Sequence, residues 1–503
     1  MDSVKFQAAS IVLAVAVTMP SVATQQESSP QSGSSPSRYE LGRRTRAMER
    51  AWLGCGDKER RKAAVPTVQR AVNGYFAGDS RQVARSLDEA AAQLRGEMRS
   101  AEQVWADAVQ VSIAPRLFHC DAASAPPRES GGRNTLQLKP AAFVPRELRL
   151  TAGWAYEPAG VRPQLRLRLV TQMGTKPILD QPLEDKLDVA IPPPANSERD
   201  TSWTVAICDE RGATVRSWNL GISCVGDLPA RLAKLRDACA SLPDGAPAIE
   251  VVSARRILDL LTRLAEGETP ETDLSAARLL RDAEQFARAA SKRESALAGS
   301  SGEYLLDVPR GKSGVPVRVL VPKAAPTVAV FALHGAGGSE NIFFDAYGDG
   351  MIVRLCRERG WMLVAPKVAT PLDDLWTVVE SIESAFNVKI QRRLIVGHSL
   401  GAVTALAMGQ KQPDRVAAIA AISGGSFGDL QPLRSTPVFV AAGTQDFGKP
   451  GSASVAKRLE ELGATVQFRL YECEHLLVVA DSLPDIFQWF DGIAIREAER
   501  GDK

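Results

Sequence analysis

Residues 397–401 read Gly397-His398-Ser399-Leu400-Gly401, and Ser399 at their centre has the setting of a nucleophile. The apolar run Leu394-Ile395-Val396 before it has the character of a buried strand, and Ala402–Met408 after it that of a helix. Strand, sharp turn and helix in succession present a serine hydroxyl at the end of a sheet. Crowding explains the glycines, because side chains two residues before and after the serine would hold strand and helix apart. A hydroxyl attacks only when a positioned base takes its proton. Of the four histidines, His119 lies far upstream, His334 stands in a glycine-rich loop and His398 sits inside the turn. That leaves His475, in Glu472-Cys473-Glu474-His475 after the last predicted strand. Its imidazole needs a carboxylate to fix the tautomer, and Asp446 follows the strand before. Asp429 is the rival acid, while Glu472 and Glu474 read as groups that tune the loop. Ser399, Asp446 and His475 all fall at carboxyl ends of predicted strands, where sites form in open α/β sheets.

Attack on a carbonyl creates an oxyanion that needs donors. The N–H of Leu400, directly after the nucleophile, is one candidate, and Ala336 in Leu333-His334-Gly335-Ala336-Gly337-Gly338 is the other. Gly335 and Gly337, with His334 and His398, complete the expected substrate contacts. Phe343, Trp376 and Phe427 are expected around the pocket above Ser399. The glycine-rich loop lacks the Lys-Ser/Thr of a phosphate-binding P-loop. No cysteine pair has zinc-ribbon or thioredoxin-type redox spacing, and the expected chemistry calls for no metal or other cofactor.

These residues need a scaffold, and residues 303–503 supply one pattern for it. A leading hairpin, then strands near 328–333, 361–365, 394–396, 416–422, 438–442 and 466–470, alternate with helical stretches. Such alternation predicts an α/β domain with a mostly parallel eight-stranded sheet covered on both faces. This stretch resembles the α/β-hydrolase superfamily of compact esterase type, similar to carboxylesterases, dienelactone hydrolases, feruloyl esterases and polyhydroxyalkanoate depolymerases. The likeness rests on His334–Gly338, Gly397–Gly401, Asp446 and His475. It implies an acyl-enzyme route and a small or polymeric acyl ester as substrate. Members often carry a lid after the strand following the elbow, but Ser423–Thr436 is too short for a helical one. The catalytic region is therefore expected to stand alone from about Gly302.

Upstream, 38–120 reads as a helical region, 121–133 as a linker, 134–226 as a β-rich sandwich and 228–298 as a second helical region. In the sandwich Leu148, Leu150 and Ala152 alternate with polar residues, as do Leu165, Leu167 and Leu169. Its aromatics Trp154, Tyr156, Trp203 and Trp218 read as core in preference to a sugar platform. Residues 1–23 have the form of an export signal, with Lys5, the apolar run Ala8–Val17 and a small-x-small site ending at Ala23. A Ser/Gln/Pro-rich tether over 24–37 follows. The reading is a secreted or periplasmic protein with no stable membrane insertion after cleavage, an uncleaved anchor being the alternative.

The chain has 503 residues, 45% apolar and 24% charged, enough for several packed domains. A net charge of +2 provides no field for recruiting nucleic acid. The basic clusters Arg43-Arg44 and Arg60-Arg61-Lys62 read as solvated helix faces. Of seven cysteines, Cys208 and Cys224 are the expected bridge. Two rival functions are a prolyl-oligopeptidase-like peptidase, whose propeller repeats are absent, and a non-catalytic binder, which would be expected to lack a triad member.

Overall fold

The computed structural model describes residues 35–120, 147–171, 176–191, 198–311, 313–369 and 375–501. The expected leader, most of the tether and the linker at 121–133 lie outside the described residues. Three helices come first, α1 (Arg38–Gly54), α2 (Lys58–Ala77) and α3 (Ser80–Arg95). Ser37, Asp57 and Asp79 cap them, each side chain accepting an N–H of the first turn. Gly78 and Gly96 end α2 and α3 in the left-handed region, which a residue without Cβ enters freely.

A short α4 (Ala101–Ala108) runs directly into β1 (Val109–Ala114) and β2 (Leu117–His119). The β region thus begins some 25 residues before the expected boundary at 134. Val109, Val111 and Ile113 point inward at alternate positions, and pairing with β3 (Arg149–Trp154) decides the conformation over the local helical pattern. Next come β4 (Arg166–Thr171), β5 (Leu179–Pro182), β6 (Leu187–Ala190), β7 (Arg199–Cys208) and β8 (Thr214–Val225). They form a three-stranded sheet, β1-β3-β6, and a five-stranded one, β2-β8-β7-β4-β5, around one shared core. Trp203 is buried in that core, and the Arg43 guanidinium lies 4.3 Å from the Trp218 ring centroid.

The bridge is Cys120–Cys224, and Cys208 is buried and free. The β7–β8 register explains the correction. Cys208 pairs with Thr214 at one end of the hairpin, and Cys224 with Arg199 at the other. Arg43 and Arg44 are a second correction, for both are buried. Arg44 binds Asp88 at 2.8 Å and also pairs with Glu40, in an ionic network that reaches Arg216 on β8. Burial opposes the charge on Arg44, yet Asp88 and Glu40 outweigh it and raise its pKa. The network ties α1 and α3 to the sandwich.

Helices α5 (Leu228–Ala240), α6 (Ala248–Ala265) and α7 (Ala276–Ser291) lead to β9 (Gly302–Arg310), β10 (Ser313–Val321) and β11 (Val328–Leu333). Then α8 (Tyr347–Arg359), β12 (Met362–Pro366), α9 (Trp376–Phe386), β13 (Arg392–His398), α10 (Leu400–Lys411) and β14 (Ala418–Ile422) follow. The chain closes with β15 (Val438–Gly443), α11 (Lys449–Glu461), β16 (Val466–Tyr471) and α12 (Leu477–Gly501). The sheet order is β16-β15-β14-β13-β11-β12-β10-β9. β11 to β16 run parallel, with β9 and β10 antiparallel at one edge.

Each central strand buries both faces by alternation. Val330, Val396 and Ile422 pack with Met48, Trp52 and Val68 of the first helices, and with α8 and α12. Phe331, Ile395 and Ile419 pack on the other side with Ile257, Leu261 and Leu280 of α6 and α7. The upstream helices therefore share both cores of the sheet. This corrects the expectation of a catalytic unit that stands alone from Gly302. Among the described residues no helix is long and apolar enough to cross a membrane.

Candidate active site

β13 ends in the turn that carries Ser399, whose backbone adopts φ 54° and ψ −115°. A positive φ is costly for a residue with a Cβ, and such strain persists only where surrounding structure enforces it. Ser399 N–H donates to the Ile422 carbonyl at 2.8 Å, which pins the turn to β14. A Cβ on Gly397 would stand 2.1 Å from the Gly401 oxygen, and one on Gly401 would stand 1.9 Å from the Leu333 oxygen. Both glycines are thus demanded by contact. Leu400 opens α10, so its N–H has no intrahelical acceptor and points out of the helix start.

Asp446 follows β15 and His475 follows β16. The His475 Nδ1–H donates to Asp446 Oδ1 at 2.7 Å, which leaves Nε2 with the lone pair a base requires. Asp446 Oδ1 also accepts the Gly448 N–H at 2.7 Å. Burial raises the pKa of this carboxyl, but the hydrogen bond and charge of His475 outweigh it and keep it below the usual range. Phe447 stacks on the imidazole at 4.0 Å between centroids. Asp429 instead caps a short turn by accepting the Gln431 N–H, and Glu474 accepts the N–H groups of Leu476 and Leu477 at the start of α12.

His334 needs correction as a substrate contact, being buried and absent from the cavity lining, whereas His398 borders the cavity with both ring nitrogens committed to the protein. His398 Nε2 donates to the His475 carbonyl at 2.9 Å, so Nδ1 is the acceptor for the Tyr347 hydroxyl at 2.6 Å. Burial, reinforced by His475, lowers the His398 pKa to about 3, which keeps it neutral. His334 Nε2 accepts the Val368 N–H at 2.9 Å, and its Nδ1–H then donates to the Gly335 carbonyl at 2.7 Å. Burial lowers its pKa to about 4. These rings hold the loops that flank Ser399.

Gly335 and Gly337 do border the space above the serine, together with Ala336. The cavity there measures about 260 Å³ and is largely apolar. Its other wall comes from the first helices, with Leu41, Val72, Tyr75, Phe76 and Leu87 facing Ser399 and His475 across it. Arg38 donates to the Gly337 carbonyl at 2.7 Å, and a Cβ on Gly337 would stand 2.0 Å from the Tyr75 hydroxyl oxygen. Phe343 and Trp376 lie elsewhere, buried in the two cores of the sheet, and Phe427 is on the surface. The residues that sequence reasoning missed are Tyr347, Phe447, Arg38 and the pair Tyr75-Phe76. Only the pair carried a local signal, as adjacent aromatics one turn beyond Ala71 and Val72 on α2.

A family model described as Putative esterase matches residues 376–435, which include Ser399 but neither Asp446 nor His475. No curated protein matches the chain. Among solved structures, the s-formylglutathione hydrolase of Staphylococcus aureus is 15% identical over 38% of this chain and 97% of its own, with a TM-score of 0.34. The fluorophosphonate-binding serine hydrolase FphF of the same organism is 16% identical over 37% and 95%, at 0.32. A ferulic acid esterase is 17% identical over 38% and 96%, at 0.33. The resemblance to α/β-hydrolase esterases is a property of part of the chain.

Proposed function

We propose that this protein is a serine hydrolase that cleaves carboxylic esters through Ser399, His475 and Asp446. The observation that carries the reading is the 2.7 Å bond from His475 to Asp446 at the cavity that the strained Ser399 also borders. In this reading His475 Nε2 takes the hydroxyl proton as Ser399 Oγ attacks the acyl carbon. The N–H groups of Leu400 and Ala336 hold the oxyanion. Collapse breaks the bond to the alcohol oxygen, which leaves with the proton from His475. Water, deprotonated by the same nitrogen, then attacks the acyl-enzyme and frees the acid and Ser399. Asp446 keeps the imidazole in the required tautomer and stabilises its charge. The esterase family match across the elbow supports the same chemistry.

The protein is further proposed to act outside the cytoplasm. The leader pattern ending at Ala23 and the Cys120–Cys224 bond, of a kind that persists in oxidising compartments, support this. Hydrolysis of p-nitrophenyl acetate by the mature chain and by Ser399→Ala tests the catalytic reading. Loss of a triad serine costs about 10⁶-fold in kcat in subtilisin. Turnover retained by the variant would make the elbow structural only.

A further inference from the structure

We propose that α1, α2 and α3 form a built-in acyl pocket, so that the preferred substrates are esters of medium-length saturated acids. The inference rests on the serine-hydrolase reading and names its substrate class. In that mechanism the leaving oxygen must lie beside His475, which returns its proton. The acyl chain therefore points the other way, toward the loop at Gly335–Gly338 and the helices beyond it. That direction is where the apolar wall stands. Leu41, Val72 and Leu87 line it, opposite Ile342 and Ala346. The alcohol side is more open, for Phe447 beside His475 and Phe76 against it are 55% and 39% exposed. Size sets the chain length. A dry cavity of about 150 Å³ takes a benzene ring, so 260 Å³, which also covers the space over Ser399 and His475, holds at most roughly ten carbons.

The wall is also joined to the catalytic loop. Arg38 and Tyr75 both meet Gly337, the residue after the proposed donor Ala336. A chain that fills the pocket packs against the same helices that hold the oxyanion loop. Burial of each methylene is worth about 0.8 kcal/mol, close to a fourfold gain in kcat/KM where it is fully realised.

The test compares p-nitrophenyl acetate, octanoate and palmitate on the mature chain, then on Val72→Phe and Leu87→Phe. The wild type should prefer octanoate to acetate by at least tenfold and discriminate against palmitate, while each variant should lower the octanoate-to-acetate ratio at least tenfold. Equal kcat/KM for acetate and octanoate, or ratios unmoved in folded variants, would overturn the proposal. A second measurement works without turnover. Calorimetric titration of Ser399→Ala should give octanoate a Kd at least tenfold below that of acetate, and equal or absent binding of the two would overturn the pocket. If the wild type hydrolyses no ester, the catalytic reading fails while this titration still decides the pocket.

Discussion

Phe76 meets Phe447 edge to face, with ring centroids 5.7 Å apart. One ring ends an N-terminal helix and the other lies flat on His475, so an aromatic contact joins residues 371 positions apart to the proposed base. With Arg38 on Gly337, it makes the first helices part of the site.

Removing the first 300 residues should therefore disable the catalytic region. Trp52, Val65, Val68 and Leu87 are each at most 1% exposed, and their partners include Val330 and Val396 of the sheet. Full burial of such a side chain is worth about 1.5–3 kcal/mol, so the fragment 302–503 loses many times that and bares an apolar face. Expression of that fragment should give insoluble protein, or soluble protein with less than about a hundredth of the parent kcat/KM, a loss of about 2.7 kcal/mol. A folded fragment of parental activity would show that the helices only sit nearby.

The fold of residues 303–503 was legible because its signals are local. An apolar strand, Gly-x-Ser-x-Gly and a helix announce the elbow within about fifteen residues, and period-two burial announces the strands. What escaped depends on contacts between distant positions. Arg38 reaches Gly337 across 299 positions, and Cys120 reaches Cys224 across 104. Val109–Ala114 read as helix because its partner β3 lies beyond a long linker. Arg43-Arg44 looked solvated because the acids that bury them, Asp88 and Glu40, stand on different helices or one turn away. His334 looked like a substrate contact because its true partners are backbone atoms, and the role of His398 at the cavity edge depends on one distant tyrosine.

Asp446→Asn should remove most activity. The amide cannot hold the His475 tautomer, and the equivalent change in chymotrypsin-like enzymes lowers kcat about 10⁴-fold. Asp429→Asn should leave kcat near the parent value, since Asp429 only caps a surface turn. Steady-state kinetics of the two variants decides which carboxylate serves His475, and the reverse pattern would reassign the acid.

Tyr347→Phe tests the support behind the base. It leaves the buried His398 Nδ1 without its donor, at a cost of about 1–3 kcal/mol in stability. Because His398 also holds the His475 carbonyl, kcat should fall about tenfold, or about 1.4 kcal/mol, with little change in KM. Urea denaturation and kinetics measure the two effects, and a variant with wild-type stability and rate would mean that the network positions nothing.

Glu49 makes stability depend on pH. Burial raises its carboxyl from 4.5 to about 7, so between those values the folded chain holds a proton that the unfolded chain has lost. The folded state is thus favoured at low pH, and this contribution fades as pH rises toward about 7. Glu49→Gln should lose less stability than the parent between pH 5 and pH 8, by on the order of 3 kcal/mol at most. Chemical denaturation at the two values checks it, and parallel losses in parent and variant would show that Glu49 is ionised throughout.

In the proposed mechanism Ser399 is a nucleophile activated by His475. Intact-mass spectrometry after incubation with a fluorophosphonate, followed by peptide mapping, tests it without assuming any substrate. One adduct per chain is expected, located on Ser399, absent from Ser399→Ala, much slower to form in His475→Ala and unchanged in His119→Ala. An adduct on another residue, or equal labelling of the parent and His475→Ala, would contradict it.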